Sequence, residues 1–314
     1  MRSFQSVARN RKLFVWFTFI AVALGFLGTS SPAGAVGTCA AFAYVTNTNG
    51  NSASVIDLTT NAVTATIPVA NSPVGVAFTP DGATAYITGG NSNSMYVVDI
   101  ATNAVTATIP VGTFPIGVAI TPDGTTAYVT NEQSNVVSVL STATNSVLSN
   151  ITVGNGPSGV VITSDGTTAY ISNYLSASVS VIDIATNAVT ATIPVGTSPS
   201  GLAITPDGTA AYVSSVILNT VEVIDLATNT VTTSIPVGSN PLGVAITADG
   251  TTAYVVNHLS SSVSVIDIAT NTVATSIPVG IGPFNIALRS CAPTPAPTTT
   301  TTPDAPPVVP AFTG

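Results

Sequence analysis

Tyr44, Tyr86, Tyr128, Tyr170, Tyr212 and Tyr254 are spaced by 42 residues without a slip, and so are Pro73, Pro115, Pro157, Pro199, Pro241 and Pro283. Self-similarity at a period of roughly 20 to 50 residues restricts a chain to solenoids, propellers and arrays, whatever its local propensities. One copy reads AYISNYLSASVSVIDIATNAVTATIPVGTSPSGLAITPDGTA. It holds four strand signals and no helix. They are Ala169-Tyr170-Ile171, Ser178 to Asp183 with its period of two, Ala188 to Ile193, and Gly201 to Ile204. Val, Ile and Thr fill them, and β-branched side chains suit strands. Thr205-Pro206-Asp207-Gly208 and Ala185-Thr186-Asn187 are tight turns, and Pro199 lies in a longer connection.

Four short antiparallel strands per copy describe a β-propeller blade. The strand with Gly201 and Ala203 is expected innermost (a), because blades crowd at the axis. The order outward is then a, b (Tyr), c (Val-Ile-Asp) and d (Ile-Pro-Val). A β-solenoid is the other architecture the period admits. The WD type is excluded, because the only Trp, Trp16, precedes the repeats.

Ala43-Tyr44-Val45-Thr46-Asn47 and Ala127-Tyr128-Val129-Thr130-Asn131, with Val-Ile-Asp-x-Ala-Thr-Asn, Ile-Pro-Val-Gly and Thr-Pro-Asp-Gly, resemble the YVTN-family β-propeller repeat over about residues 40 to 290. The resemblance implies a secreted or surface-layer propeller and says little about chemistry. Many members have seven blades. The wider superfamily includes quinoprotein amine dehydrogenases and haem-binding nitrite reductases.

The two cysteines count the blades. Cys39 stands five residues before Tyr44, where later copies have Asp81, Asp123, Asp165, Asp207 and Asp249, and Cys291 stands eight after Pro283; 291 − 39 = 252 = 6 × 42. Six blades therefore close without remainder. The C-terminal segment Phe284 to Arg289 is expected to supply the innermost strand that the first blade lacks. Cys39 and Cys291 then meet at the broken a–b turn, within reach of a disulfide. Two free thiols are the alternative.

The flanks differ from the repeats. Arg9 to Lys12 is basic, Leu13 to Leu27 is apolar apart from Thr18 and Gly25, and Ala33-Gly34-Ala35 is a small-x-small site. Residues 1–35 read as a secretory signal peptide, with an uncleaved anchor as the alternative. Residues 36–291 form the propeller, and residues 292–314 are a Pro/Thr-rich tail without apolar periodicity. The mature chain is expected to be secreted or at the cell surface, the periplasm being the other compartment that fits, where disulfides persist.

Charge narrows the partners. Charged residues make up 6 % of the chain, and four of the five basic ones lie in the first twelve residues. Without the leader, thirteen acids face Arg289 alone, 13 − 1 = 12 net negative charges. Nucleic acid and anionic membrane surfaces are excluded as partners, since both need clustered Lys and Arg. Ten acids belong to the repeat as turn and strand-end aspartates. Glu132, Glu222 and Asp304 are left over, with Glu222 expected at the surface of a strand c. No converging calcium ligands, phosphate loop, Ser-His-Asp set, haem motif or metal spacing is visible, so no catalytic residue, metal or cofactor is assigned.

Binding residues follow from comparing copies. The Pro-Asp-Gly and Ala-Thr-Asn turns scarcely vary and share one propeller face. The b–c and d–a loops of the other face diverge. The fourth residue after each Tyr reads Thr48, Gly90, Glu132, Tyr174, Val216, His258, and the fifth Asn49, Asn91, Gln133, Leu175, Ile217, Leu259; Phe114 and Phe284 flank loop prolines. Glu132, Tyr174, Leu175, Ile217, His258, Leu259, Phe114 and Phe284 are therefore the candidate contact residues for a protein or glycan. The opposite face is expected to be scaffold. Glu132 and His258 fall in the third and sixth blades, roughly 20 Å apart given strands about 4.8 Å apart, too far to act as an acid–base pair. The reading is a non-enzymatic binding or structural module. The alternatives are an extracellular propeller enzyme of the lactonase or lyase sort and a redox-cofactor propeller.

Overall fold

The computed structural model describes residues 22–26, 41–57, 62–69, 71–278, 283 and 286. Among them are twenty-four strands in six four-stranded antiparallel sheets, the blades of a β-propeller. Blade 4 is representative: a, Pro157–Ile162; b, Thr168–Asn173; c, Ser178–Asp183; d, Ala188–Pro194. Pro73, Pro115, Pro157, Pro199 and Pro241 are each the first residue of a strand a, where a missing N–H costs the ladder nothing. The innermost strands of successive blades touch. The apolar clusters lie between blades: Tyr128, Val137, Val139 and Ile151 of blade 3 pack on Ala169, Ile171 and Ile182 of blade 4.

Crowding at the axis is borne out atom by atom. A Cβ on Gly75, Gly117, Gly159 or Gly201 would come within 2.2, 2.5, 2.7 or 2.3 Å of a carbonyl oxygen of the next blade. Those oxygens belong to Ile116, Ser158, Ser200 and Leu242, so only glycine admits the neighbouring backbone.

The same place explains the motif around each Tyr. The a–b ladder shifts register beside the glycine. A strand-b hydroxyl replaces the missing partner: Gly117 N–H donates to Thr130 Oγ1 at 2.8 Å, and that hydroxyl donates to Ser158 O of blade 4 at 2.6 Å. Thr46, Thr88, Ser172 and Ser214 donate alike to Val74, Ile116, Ser200 and Leu242, at 2.8, 2.8, 2.7 and 2.7 Å. The sixth copy has Val256 at this position and no hydroxyl to offer. The motif Ala is wholly buried in blades 2 to 6. The Tyr hydroxyl reaches the c–d turn of the following blade, as in Tyr44 to Asn103 Oδ1 at 2.8 Å and Tyr128 to Asn187 Oδ1 at 2.7 Å. Those asparagines have positive φ, 55° and 54°, which Asn tolerates better than most residues. Burial first, and the negative charges of Asp99 and Asp183 second, push the Tyr44 and Tyr128 hydroxyls up to about 12.

The motif Asn bonds within its own blade, Asn131 Nδ2 donating to Ser138 Oγ at 3.0 Å and Asn173 Nδ2 to Ser180 Oγ at 2.9 Å. The two positions trade volume across the copies. Blade 2 pairs Gly89 with Tyr96, and blade 5 pairs Ser215 with Glu222. Glu222 is thus not the surface residue expected from sequence. It is 6 % exposed, and its Oε1 accepts from Thr220 and Ser234 at 2.8 and 3.0 Å.

A second correction concerns the innermost strand of blade 1. It is Val22–Phe26, not Phe284 to Arg289. Val22, Ala23 and Leu24 pair with Val45, Tyr44 and Ala43, as Val118, Ala119 and Ile120 pair with Val129, Tyr128 and Ala127. An apolar–small–apolar triplet meets the demand of the slot, and Val-Ala-Leu satisfies it as Val-Ala-Ile does. Of the C-terminal segment, Pro283 and Ile286 are described. His258 Nδ1 lies 3.1 Å from Pro283 O, with the 25-residue separation of Thr48 Oγ1 and Pro73 O at 2.9 Å.

Thr130→Val is nearly isosteric and leaves both the Gly117 N–H and the Ser158 carbonyl without a partner. Denaturant unfolding is expected to show a loss of about 1 to 3 kcal/mol. A loss below a few tenths would deny the hydroxyl bridge its role.

Candidate functional site

The b–c and d–a loops share one face. The amide of the fourth residue after Tyr donates to the d–a loop of its own blade: Glu132 N–H to Phe114 O at 3.0 Å, Tyr174 N–H to Gly156 O at 2.8 Å, His258 N–H to Asn240 O at 3.0 Å. The side chains at this position lie inward of the rim. Val216 is buried, and Glu132, Tyr174 and His258 are half-buried. Burial raises the Glu132 carboxyl above the ordinary Glu value. Glu132 and His258 stand in blades 3 and 6, three blades apart in a ring of six, and are not brought together.

The next residue projects. Leu175, Ile217 and Leu259 are 65, 62 and 71 % exposed, and Leu218 is 51 % exposed beside them. Phe114 has a positive φ of 56° and its ring covers Gly90, where a Cβ would meet Cε2 at 3.3 Å. It fills the space that a side chain occupies in other blades, rather than standing free. Phe284 lies outside the described residues, as do Cys39 and Cys291.

The opposite face is acidic. Strands c end at Asp99, Asp183, Asp225 and Asp267, and the a–b turns carry Asp81, Asp123, Asp165, Asp207 and Asp249. Each carboxylate caps its turn: Asp99 Oδ1 accepts from Thr102 Oγ1 at 2.6 Å and Thr102 N–H at 2.8 Å. Thr hydroxyls first and backbone N–H groups second hold these carboxyls below the ordinary Asp value, except at Asp267, where the Thr270 N–H is the larger influence. This face also holds a cavity of about 440 Å³ between blades 5 and 6, lined by Asp207, Asp225 and Asp249 over Tyr212, Val223 and Ile268. Sequence reasoning missed it, because it arises where two near-identical blades meet. Among the described residues no group of three His, Cys, Asp or Glu side chains is placed to hold a metal ion.

The lowered carboxyls set an acid limit. Folded values below the unfolded ones mean that their contribution to stability is complete above the ordinary carboxylate range and is lost as pH falls through it. The melting temperature is expected to be flat between neutrality and about pH 5 and to fall below about pH 4. A curve unchanged to about pH 3 would contradict the capping role.

Residues 118–233 match the family model described as Lactonase, 7-bladed beta-propeller. That model has seven blades, whereas six sheets are described here. No curated protein matches. Among solved structures, a chain of hydrazine synthase from Kuenenia stuttgartiensis superposes with a TM-score of 0.72 at 26 % identity, over 78 % of this chain and 85 % of that one. A functionally unknown protein from Desulfotomaculum acetoxidans DSM 771 gives 0.68 at 20 % identity, over 75 % and 79 %.

Proposed function

We propose that this chain is a secreted, non-enzymatic propeller of the YVTN-repeat kind that binds a protein or glycan at the cell surface through its b–c/d–a face. The supporting observation is the exposed apolar row of Leu175, Ile217, Leu218 and Leu259. Exposed apolar side chains at a rim otherwise made of polar loops suit a macromolecular contact. Among the described residues of that face, Glu132 and His258 stand half the ring apart and form no acid–base pair. One observation favours a second reading. The lactonase match over residues 118–233 includes Glu132, whose carboxyl is raised by burial.

The test uses the chain from Val36 onward, incubated with cell envelopes and separately with a panel of lactones. Leu175→Ser/Ile217→Ser/Leu259→Ser is expected to weaken envelope binding at least about tenfold. Asp123→Asn/Asp165→Asn is expected to leave it intact. Equal loss in both variants would sink the assignment of the face. Lactone turnover abolished by Glu132→Gln would establish the enzyme reading instead.

The leader reading has a structural corollary. Removal of residues 1–35 takes away Val22–Phe26, and the Ile286-Ala287-Leu288 triplet then offers the same apolar–small–apolar pattern to blade 1. That exchange would bring Cys39 and Cys291 to one a–b turn, and a disulfide there would close the ring. Peptide mapping of the secreted protein without reductant is expected to find the Cys39–Cys291 cross-link. Two free thiols would dismiss it.

A further inference from the structure

The b–c rim carries two chemistries. In blades 3, 4 and 6 the amide of the fifth residue after Tyr is tied to the d–a loop: Gln133 N–H to Thr113 O at 3.2 Å, Leu175 N–H to Asn155 O at 3.0 Å, Leu259 N–H to Ser239 O at 3.2 Å. The fifth position after Tyr reads Asn49, Asn91 and Gln133 in blades 1 to 3, then Leu175, Ile217 and Leu259 in blades 4 to 6. Half the rim is polar and the other half apolar. Charge is segregated too. The repeat aspartates lie on the opposite face, and the b–c and d–a loops among the described residues carry Glu132 and His258 as their acid and base.

We propose that this face is an isologous interface between two copies of this chain, with the two-fold axis lying in the interface and passing through blades 2 and 5. The proposal rests on reading this face as the binding face, and it names the partner. A six-bladed ring offers six such in-plane axes. The axis through blades 2 and 5 exchanges blade 1 with blade 3 and blade 4 with blade 6. Leu175 then faces the partner's Leu259, Ile217 faces its own counterpart, Asn91 faces its own counterpart, and Gln133 faces the partner's Asn49. Each of the other five axes sets at least one apolar position on a polar one. On the chosen axis Glu132 meets the partner's Thr48 and His258 the partner's Tyr174, so no like charges oppose. The two acidic faces point outward. Strands of six residues at about 3.3 Å each hold them roughly 40 Å apart, several Debye lengths at physiological salt. A closed pair of this kind is the commonest oligomer symmetry.

Sedimentation velocity of the chain as it is secreted is expected to show a dimer at micromolar concentration that high salt does not dissociate. Leu175→Ser/Ile217→Ser/Leu259→Ser is expected to raise the dissociation constant at least about tenfold while leaving the far-UV circular dichroism of the folded chain unchanged. Register is read by cross-linking with a bismaleimide. Ile217→Cys is expected to cross-link to itself across the axis. Leu175→Cys is expected to cross-link only when mixed with Leu259→Cys. A chain that stays monomeric at high micromolar concentration overturns the proposal, and so does self-linking of Leu175→Cys equal to that of Ile217→Cys. Envelope binding by a monomeric chain, lost in the triple variant, would leave the binding face standing while removing the second copy as its partner. Loss of both dimer and envelope binding in the unmodified chain would end both readings.

Discussion

Everything in this ring depends on how closely one blade's backbone approaches the next at the axis. Where Gly117 lies, the oxygen of Ser158 occupies the space a Cβ would need. The a–b ladder cannot stay regular there, and the Gly117 N–H loses its strand partner. Thr130 restores it and passes a hydrogen bond on to the intruding carbonyl. One hydroxyl thus repairs the ladder within a blade and fastens that blade to its neighbour. A buried N–H or carbonyl left unmatched costs about 1 to 3 kcal/mol, so the glycine and the hydroxyl are useful only together. The ring repeats this bridge from blade 1 to blade 6 and omits it at Val256.

Much of this was legible in the sequence, for an identifiable reason. An unbroken 42-residue period fixes the number of strands per copy, and the c strand Ser178–Asp183 was bounded correctly by its alternation alone. The Gly/Ala-rich strand was placed innermost by a crowding argument that the Gly75 to Gly201 contacts bear out. Two things were not legible. Glu222 was read as a surface charge, because a carboxylate in a strand is usually solvated. Its burial follows from the small Ser215 beside it and from hydroxyls on Thr220 and Ser234, a relation visible only by comparing two columns of the repeat. In the full chain the first blade's inner position is taken by Val22–Phe26, because three residues with one apolar pattern occur twice in the chain and pairing rewards the pattern, not its address.

At the rim, Leu175, Ile217 and Leu259 are exposed, while Glu132, Tyr174 and His258 are half-buried. The distinction lies in a hydrogen bond. In blades 3, 4 and 6 both amides of the b–c loop are tied to the d–a loop, and only the second of the two side chains then points away from it. The cavity on the acidic face is a property of the seam between blades and has no motif of its own.

The partners of the motif residues differ in how far they reach along the chain, and this bears on how such a protein can change. Asn131 and Ser138 are seven residues apart and belong to one copy, so Gly89 with Tyr96 and Ser215 with Glu222 have been free to settle the same volume differently. Tyr128 and Asn187 are 59 residues apart, more than one period, and each belongs to a different copy. A change in either must be answered in a neighbouring blade. All six tyrosines and all six of these asparagines are accordingly identical. A blade copied into or out of such an array carries its private pairs with it and must present the shared ones unchanged. The ring can therefore lengthen, shorten or exchange blades while each blade keeps its own internal dialect, provided the words spoken across the seam remain common to all.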